Sequence, residues 1–209
     1  MLSAQEALAR LSEGNRRFVA GARSGDEPGV ATRRAELVAG QEPFAVILGC
    51  SDSRVPPEIV FDQGLGDLFV IRGAGNIATP SEVGSVEYAV RFLGTRLVMV
   101  LGHTRCGAVR AALEDLERSG GAKSPNLGSI VDRIRPSVEP LMATGLGNDR
   151  DAVLLRAMQA NVHVSVETLH RGSEIIGQLV KDEGLLVVGA EYSLETGLVS
   201  FFDSGPVPG

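Results

Sequence analysis

Phe44-Ala45-Val46-Ile47-Leu48-Gly49-Cys50-Ser51-Asp52-Ser53-Arg54 opens as an unbroken apolar run and ends in a cluster of chemically active side chains. The pattern recurs at Leu97-Val98-Met99-Val100-Leu101-Gly102-His103-Thr104-Arg105-Cys106-Gly107. A strand with one face in water alternates apolar and polar residues, whereas one covered on both faces is apolar throughout. These two runs, with Leu68-Phe69-Val70-Ile71 between them, therefore predict central strands of a parallel sheet. Ser81 to Phe92 carries Val83, Val86, Tyr88, Ala89, Val90 and Phe92 at helical spacing. Strand–helix–strand alternation implies βαβ units with right-handed crossovers.

Outward from this centre, Ser3 to Val19 reads as an amphipathic helix with Ala7, Leu8, Leu11, Phe18 and Val19 as its apolar set. Ser3 and Glu6 have the spacing of a capping box. A short helix is expected over Thr32 to Ala39, and helices dominate after Cys106, over residues 107–118, 127–143, 150–170 and 173–181. Leu185-Leu186-Val187-Val188 predicts a fourth buried strand, and EYSLETGLVSFF an edge hairpin about Glu195-Thr196-Gly197. The fold class is α/β: a mostly parallel central sheet of about four to five strands flanked by helices. Residues 1–209 read as one domain, with 1–40 as a helical arm inside it. Because the Gly/Pro-rich segment 21–29 separates the first helix from the sheet, its apolar stripe is expected to pack on a partner subunit.

Trp is absent and aromatics make up only 4% of the 209 residues, so the core must be built from Val, Leu, Ile and Ala. A net charge of −6 without a basic stripe argues against nucleic-acid binding. Lys123 and Lys181 are the only lysines, and an Arg excess identifies no partner. No apolar run is long enough to span a bilayer, and the N-terminus lacks a secretory pattern, so no membrane association is expected and the default address is cytoplasmic. The two cysteines permit one disulfide, but in such a compartment a Cys three residues from a His leans toward metal.

The carboxyl ends of neighbouring strands in an open α/β sheet line the crevice where ligands bind. Cys50, His103 and Cys106 are therefore candidates to meet there. Two thiolates and an imidazole suit zinc, and three protein ligands leave the fourth position to water. His and Cys at this spacing also recur by chance, and a buried Cys is often only a small hydrophobe. Asp52 and Arg54 shift the balance. Residues two apart in extended chain point to one side, and pairing would explain two charges at the end of a buried strand.

Cys50-Ser51-Asp52-Ser53-Arg54-Val55 and Gly102-His103-Thr104-Arg105-Cys106-Gly107 resemble the two signatures of the β-class carbonic anhydrases. The resemblance runs from Glu13-Gly14-Asn15-Arg16-Arg17-Phe18 through FDQGLGDLFVIRGAGN and GSVEYAV to the last strand. It implies reversible hydration of carbon dioxide to bicarbonate and a proton on one Zn2+ per chain, with Cys50, His103 and Cys106 as ligands. It also implies Asp52 and Arg54 as a catalytic dyad, and a homodimer or higher homo-oligomer with the active site at the interface. Gln41, Phe69, Ala74, Tyr88 and Gly107 become substrate-pocket candidates, although Tyr88 fits equally as a helix residue packed on the sheet. In some members the aspartate closes the site as a fourth ligand, regulated by bicarbonate in a pocket with an essential Trp. Here Ile47 stands at that place, while Arg72 and Tyr192 match, which favours the open subtype.

Three rival readings bear on the same residues. Gly73-Ala74-Gly75-Asn76-Ile77-Ala78 fits G-x-G-x-x-A, but the acid expected about twenty residues on is missing, and Arg91-Phe92-Leu93-Gly94 sits there instead. Glycines for a tight turn beneath the metal explain it better. Hydrolysis of carbonyl sulfide or carbon disulfide would use the same zinc site. A zinc-stabilised binding protein would not need Asp52 and Arg54 at the mouth of its metal site. His163 and His170 read as surface or packing residues, and Glu114, Asp115 and Glu117 as a solvated helix face.

Overall fold

Four strands, Ala45–Cys50 (β1), Leu68–Gly73 (β2), Leu97–His103 (β3) and Leu186–Tyr192 (β4), lie parallel in one sheet. Val199–Phe201 (β5) adds an antiparallel edge, giving the order β2-β1-β3-β4-β5. The computed structural model describes residues 2–22, 30–117, 124–142 and 149–202. Every residue of β1 and β3 is buried, as unalternating apolar runs require. Each strand extends past its apolar run, so Cys50 and His103 are the last residues of β1 and β3.

The two-residue period of the strands divides the core. Val46, Leu48 and Cys50 face one cluster, built with Pro80–Phe92 (α4), Gly107–Glu117 (α5), Pro125–Met142 (α6) and Arg150–Gly172 (α7), and with Ile176 and Leu179 of Glu174–Asp182 (α8). Ala45 and Ile47 face the other, which takes in Ala4–Val19 (α1) and Val60 of the short helix Pro57–Val60 (α3). A helix at Val30–Glu36 (α2) and a single 3-10 turn at Leu37–Ala39 stand where one helix was expected, and α2 buries none of its residues. α3 was not foreseen, because one helical turn is too short to show a period.

The expectation that α1 packs on a partner is corrected in its premise. Ala7 and Leu11 are wholly buried in this chain's own core beside Ile47, Leu97 and Met99. Gly14 lets the helix touch the backbone of Phe61, since a Cβ there would lie 1.8 Å from the Phe61 carbonyl oxygen. Asn15 donates to the Val60 and Gly197 carbonyls and accepts from the Val199 N–H, tying α1 to α3 and to the terminal hairpin. The capping box at Ser3 and Glu6 is complete. α1 thus lies on its own sheet, and most of the Gly/Pro-rich segment 21–29 lies outside the described residues.

The acidic residues of α5 also depart from expectation. Glu114 and Glu117 pair with Arg150 at 3.6 and 3.0 Å, and Asp115 with Arg135 at 3.0 Å, so this face clamps α5 to α7 and α6. His163 stacks on Phe202, a packing role as expected. Among the described residues no helix is long and apolar enough to cross a membrane.

Candidate metal centre

β1 has β2 on one side and β3 on the other, so the chain leaves β1 in one direction and returns across it. The crevice at the carboxyl ends of β1 and β3 is therefore a topological switch point, where open α/β sheets bind ligands. β1 delivers Cys50 to it and β3 delivers His103. Cys106 needs a sharp turn. Arg105 adopts a φ of 56°, unusual for a residue with a side chain. The Thr104 N–H donates to the Tyr192 carbonyl at 3.0 Å, and the Thr104 hydroxyl and Arg105 guanidinium both bind the Glu195 carboxylate. Arg105 first, then Thr104, hold the Glu195 carboxyl down to about 2. The hairpin before β5 thereby anchors the turn that brings Cys106 back.

One donor atom from each of Cys50, His103 and Cys106 lies within 4.8 Å of the others, and all three residues are buried. His103 Nδ1 sits 2.9 Å from the Thr104 carbonyl oxygen. It must donate there, which leaves the lone pair on Nε2. Nε2 is buried without a hydrogen-bond partner among the described residues. A buried imidazole grouped with two sulfurs suits a thiophilic, borderline-soft cation such as zinc.

The electrostatics of the pair favour thiolate at Cys50. The hydrogen bond from Cys106 is the main cause that pushes the Cys50 thiol down, with the backbone N–H of Gly75 adding to it. The same sharing, together with burial, pushes Cys106 up. A divalent ion held by this donor set would take the place of the shared proton and let both sulfurs ionise.

Gly75 is the turn that makes the sulfur's floor. Its φ is +74°, its N–H lies 3.3 Å from Cys50 Sγ, and a Cβ there would approach Ile134 Cδ1 to 2.7 Å. The glycine motif makes a tight turn beside the Cys50 sulfur, as its tight-turn reading expected. Asn161 Nδ2 donates to the Gly75 carbonyl at 2.7 Å and Ser165 Oγ to that of Asn76 at 3.0 Å. Sequence reading missed both supports. Polar residues four apart on the buried stripe of α7 were the available signal.

Asp52 and Arg54 pair as expected, though through a turn instead of extended chain. Asp52 Oδ1 accepts from Arg54 Nε at 2.9 Å and from the Arg54 N–H at 3.0 Å, and Oδ2 accepts from Nη2 at 2.7 Å. This is an Asx-type turn closed by a bidentate ion pair. Arg54 holds the Asp52 carboxyl well below the usual carboxylate range. Oδ2 also faces the donor set, 3.9 Å from His103 Nε2. Arg72 donates to the carbonyls of Cys50 and Asp52 at 3.0 and 2.7 Å, fixing the loop from the neighbouring strand. Ile47 lies wholly buried on the α1 side of the sheet, and Tyr192 packs against Phe18.

Of the substrate-pocket candidates, Ala74 and Gly107 stand beside the centre, next to Gly75 and Cys106. Gln41, Phe69 and Tyr88 do not adjoin it within the chain. Phe69 pairs with Val46, four residues from the Cys50 level, or about 13 Å along the strand. Tyr88 packs on Phe69, and Gln41 precedes β1 at the end opposite Cys50.

A mostly parallel sheet with a buried Cys2His donor set at its switch point and a carboxylate–guanidinium pair at the mouth defines the class: an α/β fold with a candidate metal site. Residues 45–199 match the family model described as carbonic anhydrase. The chain is 43% identical over 187 residues to Carbonic anhydrase 2 of Mycobacterium tuberculosis, covering 90% of this chain and 87% of that protein. The solved β-carbonic anhydrase CcaA superposes with a TM-score of 0.76 at 27% identity, covering 95% of this chain and 88% of the other. The tetrameric β-carbonic anhydrases of Sordaria macrospora give 0.74 at 26% identity, over 97% of this chain and all of theirs (100%). The chain belongs to the β-carbonic anhydrase family.

Proposed function

We propose that this chain catalyses the reversible hydration of carbon dioxide to bicarbonate and a proton, on one Zn2+ per chain bound by Cys50, His103 and Cys106. The observation that carries the reading is the buried donor set with Asp52 and Arg54 at its mouth. Zinc in such a site supplies Lewis acidity that makes water a competent nucleophile near neutral pH. Asp52 Oδ2 accepts a hydrogen bond from the attacking water and turns its lone pair toward the substrate carbon. Arg54 keeps that carboxylate ionised and holds it off the donor set. Ala74 and Gly107 form the near wall of the pocket. With Ile47 in place of a Trp and Arg72 committed to backbone carbonyls, the site is read as open at rest. Both thiols must stay reduced to hold metal, which suits the cytoplasm.

Stopped-flow hydration of carbon dioxide, with metal analysis of the same sample, tests the reading. Activity matched by about one zinc per chain is expected, rising toward alkaline pH because two thiolates offset the charge of the ion. Faster turnover of carbonyl sulfide or carbon disulfide would favour the hydrolase. Zinc without turnover of any of the three would favour a binding protein.

The assembly is read as a homodimer or larger. β2 is an edge strand, only part-buried along its length, and an open edge is a template for pairing. Tyr88 and Phe92 beside it are 48% and 74% exposed. Antiparallel pairing of two β2 strands about their centres would place Phe69 of one chain beside the Arg72–Gly73 end of the other. Tyr88 and Gln41 would follow, so the remaining pocket candidates would serve a site across the interface. Replacing Tyr88 and Phe92 together by Asp is expected to give inactive monomers in light scattering. A fully active monomer would overturn this arrangement.

A further inference from the structure

Glu82 stands three residues after Thr79, the spacing of a capping box at the start of α4. The box does not form, since no side-chain hydrogen bond caps this helix, whereas Ser3 and Glu6 complete theirs on α1. The Glu82 carboxylate leans over the end of β2 instead. A Cβ on Gly73 would lie 3.3 Å from Glu82 Oε1. Gly73 is the register partner of Cys50. Paired residues of parallel strands project to the same face, and the strands are about 4.8 Å apart. Glu82 therefore reaches the face of the sheet that carries the Cys50 sulfur, one strand away.

Its second oxygen, Oε2, is buried without a hydrogen-bond partner, and no cation pairs with Glu82 among the described residues. A buried carboxylate oxygen with neither partner costs stability. The positive end of α4 favours a charge there but does not require it to lie against Gly73. The reaction turns a neutral substrate into an anion, so a fixed negative charge on this wall distinguishes the two. We propose that Glu82 is a specificity-determining residue of the pocket, repelling anions, product bicarbonate included, while leaving carbon dioxide unaffected. This rests on the carbonic anhydrase reading and adds a residue to it.

The test uses the zinc-loaded full chain with thiocyanate as the anion, its binding read from the infrared C–N stretch. Glu82→Gln removes the charge at nearly constant shape, and Glu82→Met removes it with an apolar side chain should the first variant fold poorly. Thiocyanate is expected to bind about three- to tenfold more tightly to either. That is the range for unit charges several ångströms apart at an effective dielectric between those of surface and water. The gain should shrink as inert salt is raised, the KM for carbon dioxide should stay within about twofold, and Glu82→Asp should keep wild-type affinity. A thiocyanate Kd unchanged in both neutral variants, or an equal shift in the KM for carbon dioxide, would overturn the proposal. Binding is read without turnover, so a wild type that held zinc and thiocyanate yet hydrated nothing would defeat only the functional reading.

Discussion

Cys106→Ala is expected to lose zinc and hydration activity together. Cys106 is one of three sulfur and nitrogen donors that converge at the crevice, and Arg54 holds the nearby Asp52 carboxylate away from them: among the described residues the Cys50, His103 and Cys106 group is the only such cluster. Removing one of three ligands takes away a substantial share of the roughly 10–16 kcal/mol available to a Zn2+ site. A loss of about 4 kcal/mol is a fall of about 1000-fold in affinity. The fold should survive, because Cys106 contributes one small side chain to a core that both helical layers hold together. Circular dichroism like the wild type, with metal content near zero by mass spectrometry, is the expected pair of results. A variant that kept one zinc and full hydration would show the assignment to be wrong. The wild type should also release zinc as pH falls, since both sulfurs must ionise to bind and Cys106 is held toward its protonated form without the ion.

Why the sequence showed so much of this is plain from β1 and β3. Their apolar runs are unambiguous because both faces are covered, and the ligands follow directly on the chain. The ends of the strands were less legible: Gly49 and Gly102 interrupt the apolar pattern although the ladder continues through them. The contacts of α1 with its own sheet were not legible because sequence records distance along the chain. Ala7, Leu11, Gly14 and Asn15 meet residues 36 to 184 positions away, and only folding brings those partners near. The same blindness hid Asn161 and Ser165, which hold the backbone of Gly75 and Asn76 beside the donor set. The glycine motif was legible as a turn but ambiguous in purpose until its N–H met the Cys50 sulfur.

Asp52 is expected to decide whether the site turns over, and Arg54 to decide where Asp52 points. The carboxylate is only 18% exposed and receives three hydrogen bonds from Arg54, two from the guanidinium and one from the backbone. Its folded pKa lies below the unfolded value of about 3.9, so its stabilisation is complete above that value and fades as pH falls through the folded one. Asp52 therefore stays ionised across the neutral range, and loss of activity between about pH 6 and 9 is not its own protonation. Asp52→Asn should retain zinc, because the three donors are untouched. Its amide sets an N–H against either Arg54 Nη2 or the Arg54 N–H, so one arm of the pair fails. A fall in kcat of about 10- to 100-fold, typical for a residue that orients a metal site, is expected. Arg54→Ala should reduce activity by another route, since Oδ2 already stands 3.9 Å from His103 Nε2 and nothing would then hold it back from the donor set. In that variant activity should stay low even at alkaline pH. A crystal structure of the zinc-loaded wild type above pH 8 should find Asp52 on Arg54. Asp52 on the metal there, with Arg54 turned away, would mean that the resting enzyme is closed despite Ile47.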